Sequence, residues 1–157
     1  MLKRADRKTQ LTPVGRIVAV ASEYNRKYVD GMLGGAREVL GDIEVIRVPG
    51  AFEIPMVASL LARRNRWRPS AVICLGVILR GDTSHADHIS ATVSALLGQI
   101  SVETGVPIIH EVLLLENAGQ AKIRCLNKKT NRGSEAALAA LSMGHVLKSL
   151  KYQSNRK

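Results

Sequence analysis

Apolar positions along this chain fall into two alternating rhythms. The run Arg16-Ile17-Val18-Ala19-Val20-Ala21-Ser22 is short, β-branched and bounded by Gly15 and Asn25, the mark of a buried strand. Val29, Met32, Leu33, Ala36, Val39 and Leu40 then recur at helical spacing until Gly41-Asp42 signals a stop. The alternation returns as a strand over 43–48, a helix over 54–64, a strand over 70–79 and a long amphipathic helix over 85–104. That last helix carries Ile89, Val93, Leu96, Leu97 and Ile100 on one face. A fourth strand is predicted over 107–114, a short helix over 117–124 and a closing helix over 134–150. No repeat or linker interrupts the series, so the expectation is one domain over 1–157 with basic ends at about 1–13 and 151–157.

Strands and helices in this order favour parallel strands covered on both faces: a three-layer α/β/α sandwich around a four-stranded parallel sheet, flavodoxin-like in class. Ligands of such sheets bind beyond the carboxyl ends of the strands. Chemistry is therefore sought in the loops after Ser22, Val48, Leu79 and Leu114.

Composition narrows the partners. The chain is 46% apolar and 23% charged, as in a soluble globular protein, and its formal charge is +10. Much of the excess lies at the two ends and in the group Arg63, Arg64, Arg66 and Arg68. Without a zinc-finger spacing or an alternation of basic and aromatic residues, no dedicated nucleic-acid partner is expected. No apolar stretch reaches the roughly 20 residues of a membrane helix, and the first residues lack the apolar core of a signal peptide, so no membrane partner and a cytoplasmic location are expected. Cys74 and Cys125 show no ligand spacing and read as packed or incidental thiols.

The loop Arg80-Gly81-Asp82-Thr83-Ser84-His85 runs into the start of the long helix, where free backbone N–H groups and the positive dipole end favour phosphate. Thr83 or Ser84 as a plain helix cap is the equally open alternative. His85 and His88, three residues apart, lie on roughly one face of that helix. They suit proton transfer, a surface or capping role, or, less readily, a metal pair, which would need a third ligand. In Val48-Pro49-Gly50-Ala51-Phe52-Glu53, Gly50 permits a left-handed turn or close approach to a ligand, while the rest reads equally as a turn and cap. Tyr24 suits stacking on a flat heterocycle or packing at the edge of the core. Arg124, Lys128, Lys129 and Arg132 form either a solvated basic turn or an anion site.

Taken together, Val48-Pro49-Gly50-Ala51-Phe52-Glu53-Ile54-Pro55, the stretch from Gly76 through Arg80-Gly81-Asp82-Thr83-Ser84-His85, and Gln120-Ala121 with Arg124, Asn131, Gly133, Glu135, Ala136 and Ala137 resemble the lumazine synthase family. The likeness runs from about Arg16 to Leu150. It implies an enzyme needing no metal or other cofactor that condenses 5-amino-6-(D-ribitylamino)uracil with 3,4-dihydroxy-2-butanone 4-phosphate. The implied roles are His85 as the catalytic proton carrier and Gly81, Asp82, Thr83 and Arg124 as phosphate contacts. Tyr24, Ala51, Phe52, Glu53, Val77, Ile78, Leu79, His110 and Arg132 would then line the uracil and ribityl site. The resemblance also implies pentamers, with Arg124 and His110 reaching the adjacent chain's site, and names riboflavin synthase as a candidate partner. An uninterrupted segment from Arg124 to Gly133 favours a shell of pentamers.

Three features depart from the family pattern. His110 replaces an apolar residue, usually Phe; Cys125-Leu126-Asn127 replaces a small-residue turn; Arg132 stands where lysine is common. The rival readings are a low-activity paralogue that forms a shell or binds flavin, an FMN- or nucleotide-binding module, and a basic RNA-binding protein. The second would need a Ser/Thr-rich loop where this chain has Glu23-Tyr24-Asn25-Arg26.

Overall fold

A computed structural model describes residues 11–154. Four strands, β1 (Ile17–Ser22), β2 (Glu44–Val48), β3 (Ala71–Leu79) and β4 (Ile108–Leu115), form one parallel sheet in the order β2-β1-β3-β4. Five helices connect and close it: α1 (Arg26–Leu40), α2 (Ile54–Ala62), α3 (His85–Thr104), α4 (Ala118–Ala121) and α5 (Arg132–Ser154). The expected α/β/α sandwich is present. The basic ends foreseen at 1–13 and 151–157 lie mostly outside the described residues; α5 runs on through 151–154, and Thr12 gives its carbonyl to His145.

Continuous apolar runs mark the inner strands because both of their faces are covered. Ile17, Ala19, Ala21, Ile73 and Leu75 face α1 and α5, whereas Val18, Val20, Val72 and Cys74 face α2 and α3. Cys74 is fully buried, which drives its thiol pKa above the ordinary range, and burial pushes Cys125 up to about 11. In α3, Val93, Leu97 and Ile100 are buried, but Leu96 is exposed, since it stands about 100° around the helix from Leu97.

The layer of α1 and α5 is packed through small residues. A methyl group on Gly133 would overlap the Met32 carbonyl. Asn131, just before α5, is buried: its amide donates to the carbonyls of Gly31 (3.0 Å) and Cys125 (2.7 Å), and its side-chain oxygen accepts from the N–H groups of Gly133 and Ser134. It caps α5 and fastens it to α1 at once. Between α4 and α5 the expected short helix divides: after four α-helical residues, Lys122–Leu126 widen into a π-helical turn that carries Arg124.

At the amino ends of the strands, the turn between α2 and β3 presents Trp67, 80% exposed with φ 58°. Among the described residues no helix is long and apolar enough to cross a membrane.

Candidate active site

The strand order reverses between β1 and β3, and three carboxyl-end loops meet above that point. Past β1 the ladder continues without a strand: the Glu23 N–H donates to the Val48 carbonyl (2.8 Å) and the Tyr24 N–H to that of Pro49 (3.0 Å). Asn25 adopts the left-handed conformation that its side chain tolerates, and its amide donates to the Val77 carbonyl at 2.7 Å. These bonds hold Tyr24 at the rim, its ring largely exposed.

After β2, Gly50 is extended (φ −139°, ψ 178°), so the left-handed alternative does not apply. A single 3₁₀ turn follows over Ala51–Glu53, and the Glu53 carboxylate accepts from the Gly50 N–H at 2.9 Å, which fixes the acid's direction. Gly76 makes room beneath: a side chain there would press on Ile54, Val112 and Ala51. Phe52, half exposed, forms one wall.

After β3 the loop leads into α3. Ser84 occupies the cap position but makes no side-chain cap bond, and the His85 N–H has only a long bond, 3.4 Å, to Thr83 Oγ1. The plain-cap reading of this loop is thus weakly met, and the helix start faces the cleft.

These pieces enclose a cleft of about 730 Å³, a size usual for small-molecule sites. Tyr24, Ala51, Phe52, Glu53, Val77, Ile78, Leu79, Gly81, Thr83 and His85 all line it. His88, Ile89 and Thr92 line it too, on the same face of α3 as His85; the three-residue spacing of the two histidines is the signal that carries His88 there. Among the described residues no group of three or more His, Cys, Asp or Glu is gathered to hold a metal ion.

Four residues named from the sequence are not in this wall. Asp82 is exposed between Gly81 and Thr83. Arg124 projects from the π-helical turn into solvent. Arg132 forms a forked ion pair with Glu111 (both contacts 3.0 Å) and bonds Glu135 at 2.6 Å. Burial raises the Glu111 pKa against the opposing pull of Arg132. His110, on edge strand β4, has Nε2 2.7 Å from Ser94 Oγ of α3, while its Nδ1 accepts from the Val112 N–H at 3.1 Å. Desolvation lowers its pKa, and an accepting Nδ1 belongs to the neutral ring.

The sequence model for 6,7-dimethyl-8-ribityllumazine synthase matches residues 15–148. The chain belongs to this family. It is 38% identical over 148 residues to the 6,7-dimethyl-8-ribityllumazine synthases of Xylella fastidiosa strains M12 and M23, covering 89% of this chain and 95% of each relative. The match spans all four strands and every wall of the cleft. Membership in the lumazine synthase family makes the chain an α/β transferase of riboflavin biosynthesis.

Proposed function

We propose that this chain, working as one domain, joins 5-amino-6-(D-ribitylamino)uracil to 3,4-dihydroxy-2-butanone 4-phosphate in the cleft at the carboxyl ends of β1–β3. The observation that carries the reading is the convergence on one cleft of an aromatic wall (Tyr24, Phe52), an oriented carboxylate (Glu53), a weakly capped helix start and His85. The uracil lies between the aromatic rings with Ala51, Val77, Ile78 and Leu79 beneath, and Glu53 takes hydroxyl or N–H donors of the ribityl end. The phosphate rests on the backbone of Gly81, Asp82 and Thr83.

The amine of the uracil attacks the ketone and expels water to form an imine. Loss of the C3 proton and the C4 phosphate then leaves an enol that tautomerises to a ketone at C3, and attack of the ribityl-bearing nitrogen on this new carbonyl, with loss of a second water, closes the ring. His85 carries protons between imine, enol and leaving hydroxyl. Holding both reactants in one cleft supplies a large part of the acceleration.

His110, Arg124 and Arg132 belong, in this reading, to the cleft of a neighbouring chain in a pentamer. Support comes from the open rim and from exposed apolar side chains on outer faces: Met56 and Leu60 of α2, Val102 of α3, Leu138 and Val146 of α5. A shell built from pentamers, a cytoplasmic location and riboflavin synthase as a partner accompany it as parts of the same proposal.

Purified protein mixed with the two substrates should form lumazine and inorganic phosphate at equal rates above background. Product formation at the background rate by folded, assembled protein would instead favour a shell or flavin-binding role. His85→Ala should lower turnover by about tenfold without altering assembly; unchanged turnover would remove it from the chemistry.

A further inference from the structure

The loop after β3 has little fabric of its own. Within 81–84 the side-chain bonds described are two long ones, Thr83 to the His85 N–H and Ser84 to His88, each 3.4 Å. The space where a Gly81 side chain would begin is open. What anchors the loop is Arg80. Its backbone N–H donates to the Leu115 carbonyl (2.8 Å), its Nη1 to Asp87 in the first turn of α3 (2.6 Å) and its Nε to Glu116 beyond β4 (3.0 Å). One residue thus joins the end of β3, the start of α3 and the end of β4. A planar guanidinium can serve two carboxylates at fixed angles, which an ammonium group does poorly.

Charge gives the second observation. Asp87 is the acidic residue of the first turn of α3, beside the backbone N–H groups that the loop would offer to an anion. Bonding to Arg80 keeps its pKa below the usual carboxylate range, and its carboxylate also draws on its own backbone N–H. Left unpaired, it would repel a phosphate and compete for the same donors.

We infer that Arg80 is a positioning residue for the phosphate site, holding the 81–84 loop between its anchors and cancelling the Asp87 charge, without itself touching substrate. The inference deepens the proposed function and rests on that loop being the phosphate site.

The test compares wild type, Arg80→Met, Asp87→Asn and the double variant in two measurements: steady-state kinetics with each substrate, and calorimetric binding of inorganic phosphate. Arg80→Met should raise the Michaelis constant for the butanone phosphate by about tenfold and weaken phosphate to match, leaving that for the uracil within about twofold. Asp87→Asn should tighten phosphate by about threefold, and adding it to Arg80→Met should recover the part of the loss due to the Asp87 charge, leaving the part due to the released loop. A double variant as weak as Arg80→Met, or phosphate binding within twofold of wild type in Arg80→Met, would overturn the inference. Should Arg80→Met fail to fold, Asp87→Asn decides alone, since unchanged or weaker phosphate binding contradicts it. A wild type that makes no lumazine would count against the proposed reaction, while the calorimetric series would still decide the role of Arg80.

Discussion

On the proposed phosphate contact, Arg124→Ala should raise the Michaelis constant for the butanone phosphate by about 10- to 100-fold and change kcat far less, because a charge-assisted contact to phosphate is worth about 1.5–3 kcal/mol. Within one chain this side chain points to solvent from the π-helical turn, outside the cleft. Its effect should therefore be felt in a neighbour's site. Assemblies of Arg124→Ala and His85→Ala chains in equal amounts should regain about a quarter of the clefts with both residues intact, and so, at butanone phosphate well below the raised Michaelis constant, exceed the mean of the two parents. A mixture no better than that mean would place Arg124 and His85 in the service of the same chain's cleft, or Arg124 in none. An unaltered Michaelis constant in Arg124→Ala would remove the phosphate contact altogether.

Gly133→Ala should unfold the protein at markedly lower urea, by about 4 kcal/mol or more, because the added methyl would meet backbone rather than a side chain that could swing away. Relief would require α1 and α5 to separate, and the four bonds of Asn131 would be drawn apart with them. Gly34→Ala is the control. It lies in α1 with open space around it, and there alanine should be neutral or stabilise by about 0.5–1 kcal/mol. Equal midpoints for Gly133→Ala and wild type would mean that the helix pair is far more pliant than its packing implies.

The periodicity alone placed most of the architecture. The change from β-branched runs to helical spacing located every strand, and the helix expected over 85–104 has those ends, closed by Gly105 in the left-handed conformation. The parallel sheet pointed to the loops at the strands' carboxyl ends, but the order β2-β1-β3-β4, which brings three of those loops together, is set by long-range pairing that no local pattern carries. The lining of the cleft was legible where its residues lie close together in sequence, as in 51–53, 77–79 and Gly81, Thr83 and His85. The site was not legible where one side chain satisfies another far along the chain. Nothing local in Arg132 announces the buried Glu111, 21 residues earlier, and nothing in Arg80 announces Glu116. The π-helical widening after Ala121 also escaped, since 3.6-residue spacing cannot tell a turn that gains a residue from a helix that ends. Gly50 shows the limit of reading glycine by type, because its backbone is extended and what matters is the N–H it gives to Glu53.

The single tryptophan of the chain stands at the end of the sheet remote from the cleft, on an exposed turn. Light emitted by Trp67 therefore reports on that end alone. At 80% exposure its emission in the free chain should be that of an indole in water and should not change when the cleft is filled, and a blue shift on raising the protein concentration would record another subunit covering it. Were a subunit to cover that turn, the indole would serve as an optical gauge of assembly, separated by the full length of β3 from the cleft.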